Sequence, residues 1–161
     1  MKIGIISDTH ENMPKIRRAV DLFNRRKVGA VLHAGDLISP ITAGEFSRLK
    51  SPLIGVFGNN DGDRLFLRER FQKIGPLHVK KFEGALGGKR FLVIHEPDML
   101  EALAASGRYD VIVYGHTHRP EIARRGATLV INPGEAAGWI TGKCTVAVLD
   151  TETMKAELVK L

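Results

Sequence analysis

Apolar and polar positions alternate along the chain in a rhythm of strand, turn and helix. Residues 2–7 (KIGIIS) form a short β-branched run, and after Pro14 the residues Ile16, Ala19, Val20 and Phe23 recur at helical spacing, which predicts a first βα unit. A second apolar run, 30–34, ends at Gly35-Asp36. Ser39-Pro40 then reads as an N-cap with Pro at the first helical position, opening a short helix to about Arg48. A third run, 52–57, ends at Gly58-Asn59-Asn60-Asp61, and Asp61 or Asp63 can cap a helix over 64–74. The alternation predicts a largely parallel sheet.

Beyond residue 76 the pattern changes. Residues 77–83 and 90–95 read as strands of a hairpin joined by the glycine-rich GALGG, Pro97 opens a helix to about Ala105, and Val111–Tyr114 is a buried strand ending in Gly-His-Thr-His. Residues 127–132, 144–149 and 155–160 are strands separated by turn signals, with no room for helices between them, so this part is expected to be antiparallel. Two sheets face to face with helices outside would bury every apolar run. The expected architecture is therefore a four-layer α/β/β/α sandwich of two mixed sheets flanked by helices, in one domain over residues 1–161; a single mixed sheet is the alternative.

The residues that end the apolar runs carry the chemistry. Asp8 and His10 follow the first run, Asp36 the second, Asn59 the third, His95 the fifth, and His116 and His118 the sixth. In α/β sheets the carboxyl ends of strands converge on one rim where ligands bind, so these distant segments are expected to meet. Asp8 and His10 point the same way if the chain stays extended, as do His116 and His118. Seven N/O donors are too many for one tetrahedral zinc and suit two ions that share a ligand. With imidazole, carboxylate and amide donors and no thiolate, such a site accepts Mn²⁺, Fe²⁺, Co²⁺, Ni²⁺ or Zn²⁺ without choosing among them. The competing reading makes each donor a turn, cap or core residue. His33 and His78 lie outside the pattern and read as structural, Cys144 as an ordinary strand residue, and Trp139 has no legible role.

Asp8-Thr9-His10, Gly35-Asp36, Gly58-Asn59-Asn60-Asp61, His95 and Gly115-His116-Thr117-His118 together resemble, in order, the five motif blocks of the calcineurin-like metallophosphoesterases, over about residues 3–135. The small size resembles the compact phosphodiesterase branch. The resemblance implies one metal held by Asp8, His10 and His118, a second held by Asn59, His95 and His116, and Asp36 bridging both. It implies two divalent ions, with Mn²⁺ favoured and Ni²⁺, Fe²⁺, Co²⁺, Zn²⁺ or Mg²⁺ as alternatives, and hydrolysis of a phosphate ester by in-line attack of a metal-bridging hydroxide. Asn132-Pro133-Gly134 looks like the turn that helps close the site in this branch.

Two positions depart from the family pattern. Asn60 stands where much of the family has a His that assists the leaving group; as the candidate catalytic residue it can donate a hydrogen bond but no proton at pH 7, which favours esters with good leaving groups. Glu96 follows His95 where Gly is usual, and is expected to narrow the entrance, add a donor or cap the next helix. The same fold also serves as a scaffold in the retromer complex, where similar motifs are incomplete, so a binding module with little catalysis is the alternative function.

Composition narrows the class further. The 161 residues include 43% hydrophobic and 26% charged, as in globular proteins, with no apolar run approaching the roughly 18 residues that span a bilayer. The N-terminus lacks the pattern of a signal peptide, and the single Cys144 excludes an intrachain disulfide, so a cytoplasmic location is expected. The formal charge of +6 favours anionic partners. The basic residues are spread in pairs with little aromatic interleaving, so a small phosphate-ester substrate is expected ahead of nucleic acid; oligomeric state has no sequence signal.

Overall fold

The computed structural model describes residues 1–161. β1 (Lys2–Ile6), β2 (Ala30–His33), β3 (Leu53–Val56) and β4 (Leu77–His78) are parallel neighbours in one sheet, separated by α1 (Met13–Arg26), by α2 (Ala43–Phe46) with a preceding 3₁₀ turn, and by α3 (Arg64–Phe71). The last two strands, β10 (Thr145–Asp150) and β11 (Lys155–Lys160), add antiparallel to the other edge, giving the order β11-β10-β1-β2-β3-β4. The second sheet has the order β5-β6-β7-β9-β8, built from Lys81–Leu86, Lys89–Ile94, Val111–Val113, Thr128–Asn132 and Glu121–Arg125 respectively. α4 (Leu100–Ala105) lies outside it.

Three clusters of buried side chains define the layers. Ile3, Ile5, Leu32, Phe91, Val93, Val111, Val113 and Ile131 fill the space between the two sheets. The odd-numbered members of β6 and β7 face inward, and their neighbours Leu92 and Ile112 pack outward with Leu100 and Ala104 of α4. On the far side of the first sheet, Ile6 and Val31 meet Ile16, Val20 and Phe23 of α1, Phe46 of α2 and Phe71 of α3. A period-two strand buried on both faces must be apolar at every position, which is why β2 and β7 read as continuous hydrophobic runs. The four-layer α/β/β/α sandwich is thus the observed architecture, and the single mixed sheet is excluded.

Several local expectations are corrected. Residues 77–83 are two strands: β4 closes the first sheet, the chain crosses at Val79-Lys80, and β5 opens the second. The hairpin turn is confined to Gly87-Gly88, with Leu86 opposite Lys89, so Gly84 and Ala85 belong to the strand. β9 pairs parallel with β7, so only part of the C-terminal region is antiparallel. β8 was not expected; its sequence EIARR is charged and half-exposed at a sheet edge, where an alternating pattern is diluted.

The helices also differ in detail. Asp63, not Asp61, caps α3 by accepting from Phe66 N at 3.2 Å, and the helix stops at Phe71. The predicted helix to Arg48 is a 3₁₀ turn plus one α-turn, and Ser39 makes no side-chain cap. α4 starts at Leu100 after Met99, well beyond Pro97, so Glu96 caps nothing; its side chain is exposed.

Candidate metal centre

All seven predicted donors lie in the loops that leave the carboxyl ends of β1, β2, β3, β6 and β7. The backbone that delivers them is unusual. Asp8, His10, Asp36, His116 and His118 all have positive φ, between 37° and 65°. Non-glycine residues adopt this left-handed region uncommonly, at a cost of roughly 1–2 kcal/mol each, and such strain gathers at functional sites. The expectation of extended segments is therefore corrected. His116 and His118 diverge: His116 Nδ1 meets Asn59 Oδ1 at 3.0 Å, whereas His118 Nε2 faces Asp8 Oδ1 at 3.3 Å.

The distances place the donors in two adjoining groups. Donor atoms of Asp8, His10 and His118 lie within 4.8 Å of one another, as do those of Asp8, Asp36 and His95. Asp36 Oδ2 lies 3.6 Å from His10 Nε2 and 3.5 Å from His95 Nε2, so one carboxylate oxygen faces both sides. Asn59 Oδ1 is 2.9 Å from His95 Nε2 and joins His116 to the second group. The second compact cluster includes Asp8 where the family pattern has His116, and His116 itself is exposed.

The donor set fits a cation. Asp8 Oδ1 and His10 Nε2 are buried without any hydrogen-bond partner, which is costly for a polar atom unless something fills the space between them. His95 Nδ1 is 2.7 Å from the Ala34 carbonyl, to which it donates, so the neutral ring aims an Nε2 lone pair at the oxygens of Asn59 and Asp36. Three acceptors converging in this way need either a proton or a cation. Electrostatics agree. Burial pushes the Asp8 carboxyl above its ordinary value. Burial also opposes the charge on Asp36, but the His95 ring and the Asn60 donors outweigh it and hold that carboxyl well below its usual range. Burial lowers His95, yet Asp36 more than compensates and raises it.

Asn60 lies at the mouth of this group. Its N–H donates to Asp36 Oδ1 at 2.9 Å and its carboxamide Nδ2 to Asp36 Oδ2 at 2.7 Å, fixing the carboxylate from the solvent side. Asn132 supports the GHTH loop by donating to the Gly115 carbonyl and to Thr117 Oγ1, each at 3.0 Å, while accepting from Gly134 N. His33 is fully buried and structural: Gly35 N donates to its Nδ1, which leaves Nε2–H to donate to Thr9 Oγ1. His78 packs against Phe82 away from the centre, and Cys144 is a half-buried free thiol.

Two supporting roles escaped the sequence reading, which has Asp61 only as a helix cap and as the last residue of a motif block. Asp61 accepts from Gly58 N at 2.7 Å, Ile38 N at 2.7 Å and Asp36 N at 3.2 Å, so it clamps the loops carrying Asp36 and Asn59 together. Glu135 is fully buried, with Oε2 3.5 Å from His118 Nδ1. Its only signal in the sequence is a lone carboxylate among small apolar residues. Trp139, illegible in the sequence, donates from its indole Nε1 to the His10 carbonyl at 3.1 Å. Beside Asn59 and His95 lies a cleft of about 510 Å³ lined by Phe57, Val79, Ile94, Lys80 and Glu96, so Glu96 borders the entrance.

Comparison with known proteins places this centre in a family. The chain is 40% identical over 156 residues to phosphodiesterase MJ0936 of Methanocaldococcus jannaschii, covering 94% of each chain. It is 27% identical over 154 residues to phosphodiesterase YfcE of Escherichia coli K12, covering 85% of this chain and 80% of that protein. A solved archaeal phosphodiesterase superposes with a TM-score of 0.96 at 38% identity over all of both chains. Vps29 from Entamoeba histolytica, at 21% identity and a TM-score of 0.70 over 100% of this chain and 99% of its own, shares the fold. The Calcineurin-like phosphoesterase superfamily domain matches residues 1–154, and the chain belongs to that superfamily.

Proposed function

We propose that the chain, acting as one domain over residues 1–161, is a phosphodiesterase that depends on two divalent ions, with Mn²⁺ favoured. Asp8, His10 and His118 would hold one ion, Asn59, His95 and His116 the other, and Asp36 both. The observation that carries this reading is the placement of Asp36 Oδ2 between His10 Nε2 and His95 Nε2, at 3.6 and 3.5 Å. The names of the two phosphodiesterase relatives support the substrate class.

Held by these seven residues, two divalent ions would supply Lewis-acid chemistry, lowering the pKa of a water and neutralising charge on a phosphate ester. The chain's own residues do the rest. Ala34 fixes the His95 ring from behind through Nδ1, and Asn60 fixes the Asp36 carboxylate from the solvent side, so the donors need little reorganisation when charge builds up on the ester. The cleft beside Asn59 and His95 receives the leaving group. Asn60, beside Asp36, can donate a hydrogen bond and no proton, so aryl diesters are hydrolysed faster than alkyl diesters.

The complete donor set supports an enzyme ahead of a scaffold. The test is to strip the protein of metal, add Mn²⁺ and assay bis(p-nitrophenyl) phosphate. Turnover that Asp36→Ala and His95→Ala each abolish is expected. No turnover, or turnover unchanged in both variants, would overturn the proposal in favour of the scaffold.

A further inference from the structure

The fully buried carboxylate of Glu135 stands between two parts of the centre. On one side its Oε2 faces His118 Nδ1 at 3.5 Å, and that ring nitrogen is buried with no hydrogen-bond partner of its own. The opposite nitrogen of the same ring, Nε2, faces Asp8 Oδ1 at 3.3 Å. An imidazole that gives one nitrogen's lone pair to a cation must keep its proton on the other, and a carboxylate behind the ring is the strongest acceptor for that proton. On the other side Glu135 accepts from Ile140 N at 3.0 Å and from Thr141 N and Thr141 Oγ1, each at 2.9 Å. That segment carries Trp139, whose indole reaches the carbonyl of His10.

The carboxylate is itself held in place. Ala136 N donates to the Ser7 carbonyl at 3.1 Å, Ala137 N to the Asp8 carbonyl at 3.0 Å, and Thr145 N to the Glu135 carbonyl at 3.1 Å. Glu135 is thus pinned to the backbone that carries Asp8, and movement of one moves the other.

We propose that Glu135 is a positioning residue that keeps the proton of His118 on Nδ1 and so turns Nε2 toward Asp8, while the same carboxylate ties segment 139–141 against His10. The inference rests on the reading that His118 holds a divalent ion. Loss of the carboxylate would leave the ring free to rotate or to change tautomer, and partners of this kind are worth roughly 10–100-fold in metal affinity.

The experiment measures Zn²⁺ affinity by calorimetry, with Zn²⁺ as a diamagnetic probe, for wild type, Glu135→Gln, Thr141→Val and Asp36→Ala. Glu135→Gln is expected to weaken binding by roughly 10–100-fold. Thr141→Val, which loosens only the loop side of the carboxylate, is expected to bind nearly as wild type. Equal affinity of Glu135→Gln and wild type overturns the proposal, as does an equal loss in both variants, which would assign the effect to the loop alone. Wild type that binds no better than Asp36→Ala overturns the metal reading itself, a result distinct from the other two. Long-range ¹⁵N–¹H NMR of the wild-type His118 ring decides the matter even if Glu135→Gln does not fold. A proton on Nδ1 supports the assignment, and a proton on Nε2 refutes it.

Discussion

The indole Nε1 of Trp139 donates to the backbone carbonyl of His10 at 3.1 Å, although 67% of the tryptophan's surface is open to solvent. An exposed aromatic ring is thereby fastened to a candidate ligand through the main chain. The bond does not depend on the His10 side chain, so the ligand and the reporter can be separated by mutation.

Trp139 is the only tryptophan, and its emission should therefore report on the centre alone. Adding Mn²⁺ to metal-free protein is expected to quench it saturably. His10→Ala keeps the carbonyl and the indole bond but is expected to flatten the titration. Emission indifferent to Mn²⁺ in the wild type would break the link between this residue and the ions.

Asp61 accepts three backbone N–H groups in a place with little water. Removing a buried acceptor leaves each donor unsatisfied at roughly 1–3 kcal/mol, so with three donors Asp61→Ala is expected to lose at least about 3 kcal/mol of stability. Asp61→Asn, which keeps one acceptor oxygen, should lose less. Urea unfolding checks the order; equal stability of all three proteins would show that the clamp carries no weight.

His33 gives a pH dependence whose sign is set by its burial. Burial pulls its pKa down from 6.5 to about 3, against the opposing pull of Asp36. Its Nδ1 must also stay unprotonated to accept from Gly35 N. The unfolded chain takes up this proton below about pH 6.5 and the folded chain does not, so stability falls as the pH falls from there toward 3. Between neutrality and pH 5 the loss is about 2 kcal/mol. His33→Gln can accept and donate in the same directions without titrating. Its stability is expected to fall less than that of the wild type over this interval, by about that amount; identical pH profiles would refute the assignment.

Gly115 precedes His116, and a Cβ there would lie 2.0 Å from Ser7 Oγ and 2.9 Å from Asp8 Oδ2. Gly115→Ala is expected to displace the His116–His118 loop, costing about 1–3 kcal/mol of stability and weakening Mn²⁺ binding. Gly44, whose added Cβ meets nothing within 4 Å, is the control; Gly44→Ala should leave Mn²⁺ binding unchanged and, lying in α2, should raise stability by up to about 1 kcal/mol. Calorimetry and thermal unfolding of the two variants decide it.

Periodicity and residue chemistry alone determined that Asp8, Asp36, Asn59, His95 and His116 follow the carboxyl ends of strands, and that the donors are nitrogen and oxygen. Both are local properties: a strand buried on both faces is largely apolar, and the metal-ligating side chains soon after it mark the rim. Ordered motifs likewise located the family. Packing of the two sheets decided what local pattern cannot encode. The crossing at Val79-Lys80 and the edge strand Glu121–Arg125 exist because a partner strand offers unpaired hydrogen bonds there. His118 meets Asp8, 110 positions away, only after left-handed turns and the sheet–sheet contact bring their loops together. The carboxylate of Glu135 resembles any other acid in the sequence, and the motif around Asp61 names no partner for it; burial beside backbone donors and a ring nitrogen is what gives them their work.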